Sequence, residues 1–292
     1  MPGERMPSTR FVDRLLARIA RVGSPTCIGL DPVVERIPDD VRSSSTCDAE
    51  AVEAFCIGVV DVTAEHAAAF KPQSACFERL GSVGIAVLER VIAHAKTKDV
   101  PVILDAKRGD IGSTAEHYAQ AVRAIGADAV TVNMYLGPST IEPYLSAGLG
   151  VFVLVRTSNP DSDAVQSNEL ASGGTIAEMM ADLVNVTGAS RLGDHGASDI
   201  GAVVGLTKSA DGESLRRLMP QQIFLVPGYG AQGGSAEDLK PLLTEHKFSG
   251  KGVLVNASRS VIYAKAEGNE TWTDAVGRAA KAMREDLASV LG

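Results

Sequence analysis

Short runs of apolar and β-branched residues recur along the chain, separated by longer stretches with helical spacing. Eight such runs stand at 26–30, 67–71, 100–104, 129–133, 151–155, 201–205, 223–226 and 252–255. Most are apolar at every position, as strands buried on both faces of a parallel sheet should be. The intervening spacing predicts helices. One starts at Ser113 or Thr114 and runs through Ala124, with Gly126 placed to end it. Another starts at Ser235, with Asp238 in a capping-box-like position. A leading helix over 8–22 repeats apolar residues at Phe11, Leu15, Ile19 and at Val12, Leu16, Ala20. Eight strand–helix units predict an α/β chain folded as a (β/α)8 TIM barrel, one domain over 1–292. A doubly wound open sheet is the runner-up, but no G-x-G-x-x-G follows an early strand.

Two connections exceed what a plain barrel needs, 31–65 after strand one and 158–199 after strand five. Long strand-to-helix connections open on the barrel face that carries active sites. The second is either a lid or a decorated surface loop.

Composition narrows the function. The 292 residues are 45% hydrophobic and 22% charged, ordinary for a globular chain. A net charge of -8 argues against a nucleic-acid surface. No apolar run reaches the roughly 20 residues of a membrane span, and the first residues lack the apolar core of a secretory signal. The expectation is a cytoplasmic chain. Cys27, Cys47, Cys56 and Cys76 form no C-x-x-C pair, and the five histidines form no metal-binding spacing, so no metal site is expected. Reduced, structural cysteines are the expectation.

The chemistry concentrates at Val102-Ile-Leu-Asp105-Ala-Lys107-Arg-Gly-Asp110-Ile-Gly-Ser-Thr114. Period-2 alternation puts Asp105 and Lys107 on one face of a strand end. Buried charges persist only when paired, which points to an ion pair at the barrel mouth. D-x-K-x-x-D alone would occur by chance in about one chain in twenty of this length. Its position after a buried strand gives it weight. Arg108-Gly109-Asp110 also spells an adhesion tripeptide, but no secretion signal or disulfide framework accompanies it.

After strand seven comes Val226-Pro-Gly228-Tyr-Gly230-Ala-Gln232-Gly233-Gly234-Ser235, and after strand eight Asn256-Ala-Ser258-Arg259. Glycines let backbone amides approach an anion, and the next helix N-terminus adds a dipole. Arg259 offers a planar fork of donors. These two loops are the usual phosphate site of such barrels. A plain turn is the alternative for the glycines alone; Arg259 beside them favours phosphate. Gly29-Leu-Asp31, Phe70-Lys71 and Arg156-Thr-Ser158-Asn159 place further polar residues on the same rim.

Asp31, Lys71, Asp105-x-Lys107-x-x-Asp110, the Pro-Gly-x-Gly-Ala-Gln-Gly-Gly loop and Ser258-Arg259 together resemble the orotidine 5′-phosphate decarboxylase family. The long connections and the Arg-Thr-Ser-Asn-Pro string resemble its longer bacterial subgroup, over about residues 10–285. The resemblance implies a homodimer of (β/α)8 barrels, free of cofactor and metal, that makes UMP in pyrimidine biosynthesis. It implies that Lys107 protonates C6 of the substrate, that Asp105 lies beside the departing carboxylate, and that Lys71 and Asp110 complete a Lys-Asp-Lys-Asp array. Asp110 and Thr114 would cross the dimer interface. Asp31 and Thr114 would meet ribose hydroxyls, Ser158 the pyrimidine, and Gln232 and Arg259 the phosphate, with Gly233 and Ser258 also binding the substrate.

Two rivals follow. Sugar-phosphate enzymes of the same superfamily share D-x-K-x-x-D but use Mg2+ and carry an acidic residue where this chain has Lys71. A non-catalytic phosphate-binding barrel is the other, opposed by the full set of matching residues.

Overall fold

Strands that are apolar on both faces need cover on both, and a closed parallel barrel wrapped in helices supplies it. The computed structural model describes residues 10–230, 234–243, 246–248 and 250–291. Its strands are β1 (Thr26–Leu30), β2 (Ala69–Pro72), β3 (Ile103–Arg108), β4 (Ala129–Val132), β5 (Gly150–Arg156), β6 (Ile200–Val204), β7 (Phe224–Pro227) and β8 (Val253–Ala257). They pair in parallel in the order β2-β1-β8-β7-β6-β5-β4-β3. The end strands meet through parallel bridges, Phe70 with Val102 and Gln73 with Asp105, so the sheet curls into a nearly closed barrel. The expected fold is the observed one.

β1 has the bounds the apolar run gives. β3 does not: it starts three residues later than the run at 100–104 and continues through Asp105, Ala106, Lys107 and Arg108. The shift has a physical basis. Pro101 has no amide to give a ladder, and the charged end of the strand faces the open mouth.

Two cores divide the apolar residues. One fills the layer between strands and helices, with Val130, Val153 and Val255 packed towards Phe55, Val91 and Val184. The other fills the barrel interior at the strand N-terminal end, with Ile103, Ala129, Phe152, Leu225 and Leu254. The helix Phe11–Val22 contributes Phe11, Leu15 and Ile19 to this second core and closes the barrel from below. Phe11 meets Phe152 edge-on at 6.0 Å. Gly150 makes room for that ring, since a Cβ there would lie 2.1 Å from it. Asp199 accepts from the amide of Val12 at 3.0 Å, and Gly23 ends the helix in the left-handed region with φ 74°.

The long connections are largely folded. After β1 come a 3-10 turn, Val34–Arg36, and the helices Asp39–Ser44 and Asp48–Thr63. After β5 come Pro160–Ser162, Asp163–Gln166 and the helix Ile176–Gly188, whose first turn is closed by a capping box between Thr175 and Glu178. Downstream of β7, Ser235 donates from its amide and hydroxyl to Asp238 at 2.8 Å each, as its spacing suggests. The helix expected to start there is present as a 3-10 turn, Glu237–Leu239, that runs on into an α-helical segment, Lys240–Leu243, where the described residues break off. Among the described residues, no helix is long and apolar enough to cross a membrane.

Candidate active site at the barrel mouth

The charged end of β3 is not a regular strand. Its register against β4 shifts between Leu104 and Arg108, and Lys107 takes φ 46°, a left-handed conformation rare outside glycine. Such a residue costs about 1–2 kcal/mol. Thr131 on β4 compensates: its hydroxyl accepts from the amides of Ala106 and Lys107, both at 3.0 Å. The same hydroxyl donates to Asp105 at 2.9 Å. Alternation correctly pairs Asp105 with Lys107, but the kink brings the two side chains together.

Asp105 is the hub. One carboxylate oxygen accepts from Lys107 Nζ at 2.6 Å and from Thr131; the other accepts from Lys71 Nζ at 2.8 Å and Gln73 at 3.1 Å. Its side chain and that of Lys71 are buried, whereas Lys107 is half exposed. Burial works to raise the Asp105 carboxyl, but the charges of Lys71 and Lys107 and their hydrogen bonds outweigh it and hold it below the usual range. Burial likewise works to lower Lys71, yet Asp105 and Asp31 overcome it and push that ammonium up. At neutral pH both groups are charged. The arrangement presents a fixed carboxylate clamped by two ammonium groups, one of them free to reach outward.

A cavity of about 450 Å³ opens above this array. Asp31 at the end of β1, Ser158 after β5, and Ser258 and Arg259 after β8 line it together with Lys71, Asp105 and Lys107. Gly29 allows the approach of β8, because a Cβ there would strike the hydroxyl of Ser258 at 1.9 Å. Gly205 does the same for Ser158, whose atoms would lie 2.8 Å from an added Cβ. Asp31 Oδ1 and Asn256 Oδ1 are buried acceptors without a donor among the described residues. A ligand carrying hydroxyl or N–H donors suits such a wall.

Arg156 stands behind the wall. Its guanidinium donates to Asp211 at 2.6 Å, Asp163 at 2.6 Å and Ser162 at 3.2 Å, and Lys208 also binds Asp163. Gln166 accepts from the amide of Thr157 at 2.8 Å and donates to its hydroxyl at 2.9 Å. The network fixes Thr157–Asn159 against the cavity.

Asp110 and Thr114 do not line the cavity. Asp110 lies past β3 and accepts from the amide of Ile111 at 2.9 Å; Thr114 is exposed on the helix Gly112–Ala124. Gln232 and Gly233 lie outside the described residues; next to them, Gly230 donates to the carbonyl of Gly234 at 2.9 Å. Sequence reasoning missed Thr131, Gln73, Asn256 and Gln166. Gln73 was within reach, since it follows Lys71 at the same period-2 interval that joins Asp105 to Lys107. Thr131 sits in a β-branched run and carries no signal of its own.

Barrel and array define an enzyme with a charged, partly water-excluded reaction chamber at the C-terminal ends of its strands. The chain belongs to the Orotidine 5'-phosphate decarboxylase / HUMPS family, whose model matches residues 24–273. It is 40% identical to an orotidine 5'-phosphate decarboxylase of Rhodopirellula baltica, covering 95% of this chain and 98% of that protein. A relative of the same name from Haloarcula marismortui is 41% identical, with the same shares covered. Among solved structures, an orotidine 5'-monophosphate decarboxylase candidate from Toxoplasma gondii matches with a TM-score of 0.83 and 36% identity, over 97% of this chain and 96% of that one.

Proposed function

We propose that this chain, acting as a single-domain barrel, converts orotidine 5′-monophosphate to UMP and CO2 in de novo pyrimidine biosynthesis. It works as a cytoplasmic homodimer and needs neither metal nor organic cofactor. The observation that carries this reading is the buried Asp105 held between Lys71 and Lys107 beneath a cavity rimmed by Ser158, Ser258 and Arg259. Family membership and the named relatives support the same chemistry.

Breaking the bond between C6 and the carboxylate releases CO2 and leaves an electron pair on C6. The Lys107 ammonium stabilises that charge and transfers a proton to C6, then regains one from water. Asp105 sits beside the substrate carboxylate. Two such charges about 4 Å apart repel by roughly 4 kcal/mol at an effective dielectric of 20, and departure of CO2 relieves this. Lys71 keeps Asp105 in place and charged. Asp31 and, from the second subunit, Thr114 receive the ribose hydroxyls, Ser158 the pyrimidine amide edge, and Arg259 and Gln232 the phosphate, with Ser258 and Gly233 also meeting the substrate.

Asp110 completes the array from the second subunit. Two observations support this: Asp110 does not line its own cavity, and its neighbour Ile111 is 60% exposed, as Tyr135 and Leu136 are at 81% and 52%. Such apolar exposure suits burial against a second copy.

A magnesium-dependent sugar-phosphate reaction fits less well. The ammonium of Lys71 lies 2.8 Å from Asp105, where a divalent ion would need that carboxylate for itself. The deciding measurement is loss of orotidine 5′-monophosphate absorbance with purified protein in EDTA. Steady turnover is expected; no turnover, or turnover that requires added Mg2+, would overturn the reading.

A further inference from the structure

The opposite end of the barrel carries a second cavity of about 620 Å³, formed where the helix Phe11–Val22 crosses the entries to β3 and β4. Arg14, Arg18, Arg21, Lys96 and Arg123 line it with two carboxylates, Asp99 and Asp128, so five cationic side chains against two leave an excess of three. The surplus stands out in a chain of net charge -8.

The pairing inside this cavity is uneven. Asp128 is shared by Arg14 at 2.8 Å and Lys96 at 3.6 Å, and it also accepts from the amide of Val102 at 3.0 Å. Arg21 binds the exposed Asp99 at 2.8 Å. Arg18 is 9% exposed and meets no carboxylate among the described residues; it donates to the carbonyls of Ala67 and Ala64. The end of the helix Asp48–Thr63 offers it only a partial negative charge. The side chain of Arg123 makes no ion pair or hydrogen bond among the described residues. A nearly buried guanidinium facing a cavity without a counter-ion is costly, and an anion would relieve it.

We propose that this cavity binds an anion bearing two or more phosphoryl groups, one per chain, independently of the mouth. Several clustered charges on the ligand match an excess spread over Arg18, Lys96 and Arg123, and guanidinium forks suit phosphoryl oxygens. Because the two cavities lie at opposite ends of the barrel, both can be filled at once.

The test titrates inorganic triphosphate calorimetrically into protein already saturated with UMP. The prior UMP titration reports on the proposed reaction site and the second titration on this one, so their failures are separable. One triphosphate per chain is expected, with orthophosphate at least tenfold weaker. The double substitution of exposed cations, Lys96→Ser with Arg123→Ser, should weaken triphosphate at least tenfold and leave kcat/KM for decarboxylation unchanged. Absence of binding with UMP present, binding without defined stoichiometry, or equal affinity in the double variant would each overturn the proposal.

Discussion

Two charged networks sit side by side at the barrel mouth and differ in what surrounds them. In one, Asp105 is buried among Lys71, Lys107, Gln73 and Thr131 and faces the cavity. In the other, Arg156 is buried, but its partners Asp163 and Asp211 are about half exposed and lie on connecting segments. The first removes a carboxylate and an ammonium from water and sets a second, half-exposed ammonium at the cavity wall. The second uses one guanidinium to hold two connections against the barrel. Burial together with direction, more than charge itself, separates the group proposed to react from the group that holds.

Breaking the reactive network should have the largest effect. Lys107→Ala removes the proposed proton donor, and decarboxylation is expected to fall at least about 10⁴-fold while UMP still binds. Substantial residual turnover would take Lys107 out of that role. Next comes Arg259→Ala, which removes charge-assisted bonds worth up to about 3 kcal/mol and should lower kcat/KM about 100-fold with the circular dichroism spectrum unchanged. An unaltered kcat/KM would detach Arg259 from the phosphate.

Thr131→Val keeps the shape of the side chain and deletes the hydroxyl under the kink. About a tenfold loss in kcat is expected, with KM little changed; a loss confined to KM would place Thr131 with the substrate wall instead. The smallest effect belongs to the holding network. Lys208 and Arg156 depress the Asp163 carboxyl to about 2 from its ordinary value. Its stabilising contribution is therefore complete above about pH 4 and fades as pH falls through about 2. Asp163→Asn should lower Tm by a few degrees at pH 7, and the gap from wild type should close towards pH 2. A gap independent of pH would show that the carboxylate charge is not what matters there.

Much of this was legible in the sequence because it follows from local periodicity. Apolar runs marked eight strands, and their spacing marked a barrel whose mouth gathers Asp31, Lys71, Asp105, Lys107, Ser158, Ser258 and Arg259. What escaped depends on contacts between strands. The left-handed turn at Lys107 exists because a hydroxyl on the next strand receives two successive amides. No period in β3 encodes that. The helix expected to start at Ser235 has its cap, but it opens as a 3-10 turn before the α-helical segment Lys240–Leu243, a distinction that apolar spacing does not carry. Arg156 was visible as a polar strand end, yet its role as an anchor depends on Asp163 and Asp211, far apart along the chain.

The helix Phe11–Val22, wedged beneath Phe152 through the space left by Gly150, closes the floor of the barrel, so that among the described residues the vessel opens at its mouth. Under the proposed reaction, everything that enters must leave the way it came. The gas released at C6 has no drain below, where Ile103, Phe152 and Leu254 fill the floor. It must slip past the nucleotide still seated above it. Under that reading carbon dioxide, the smaller product, would leave first, and UMP afterwards, when Arg259 lets the phosphate go.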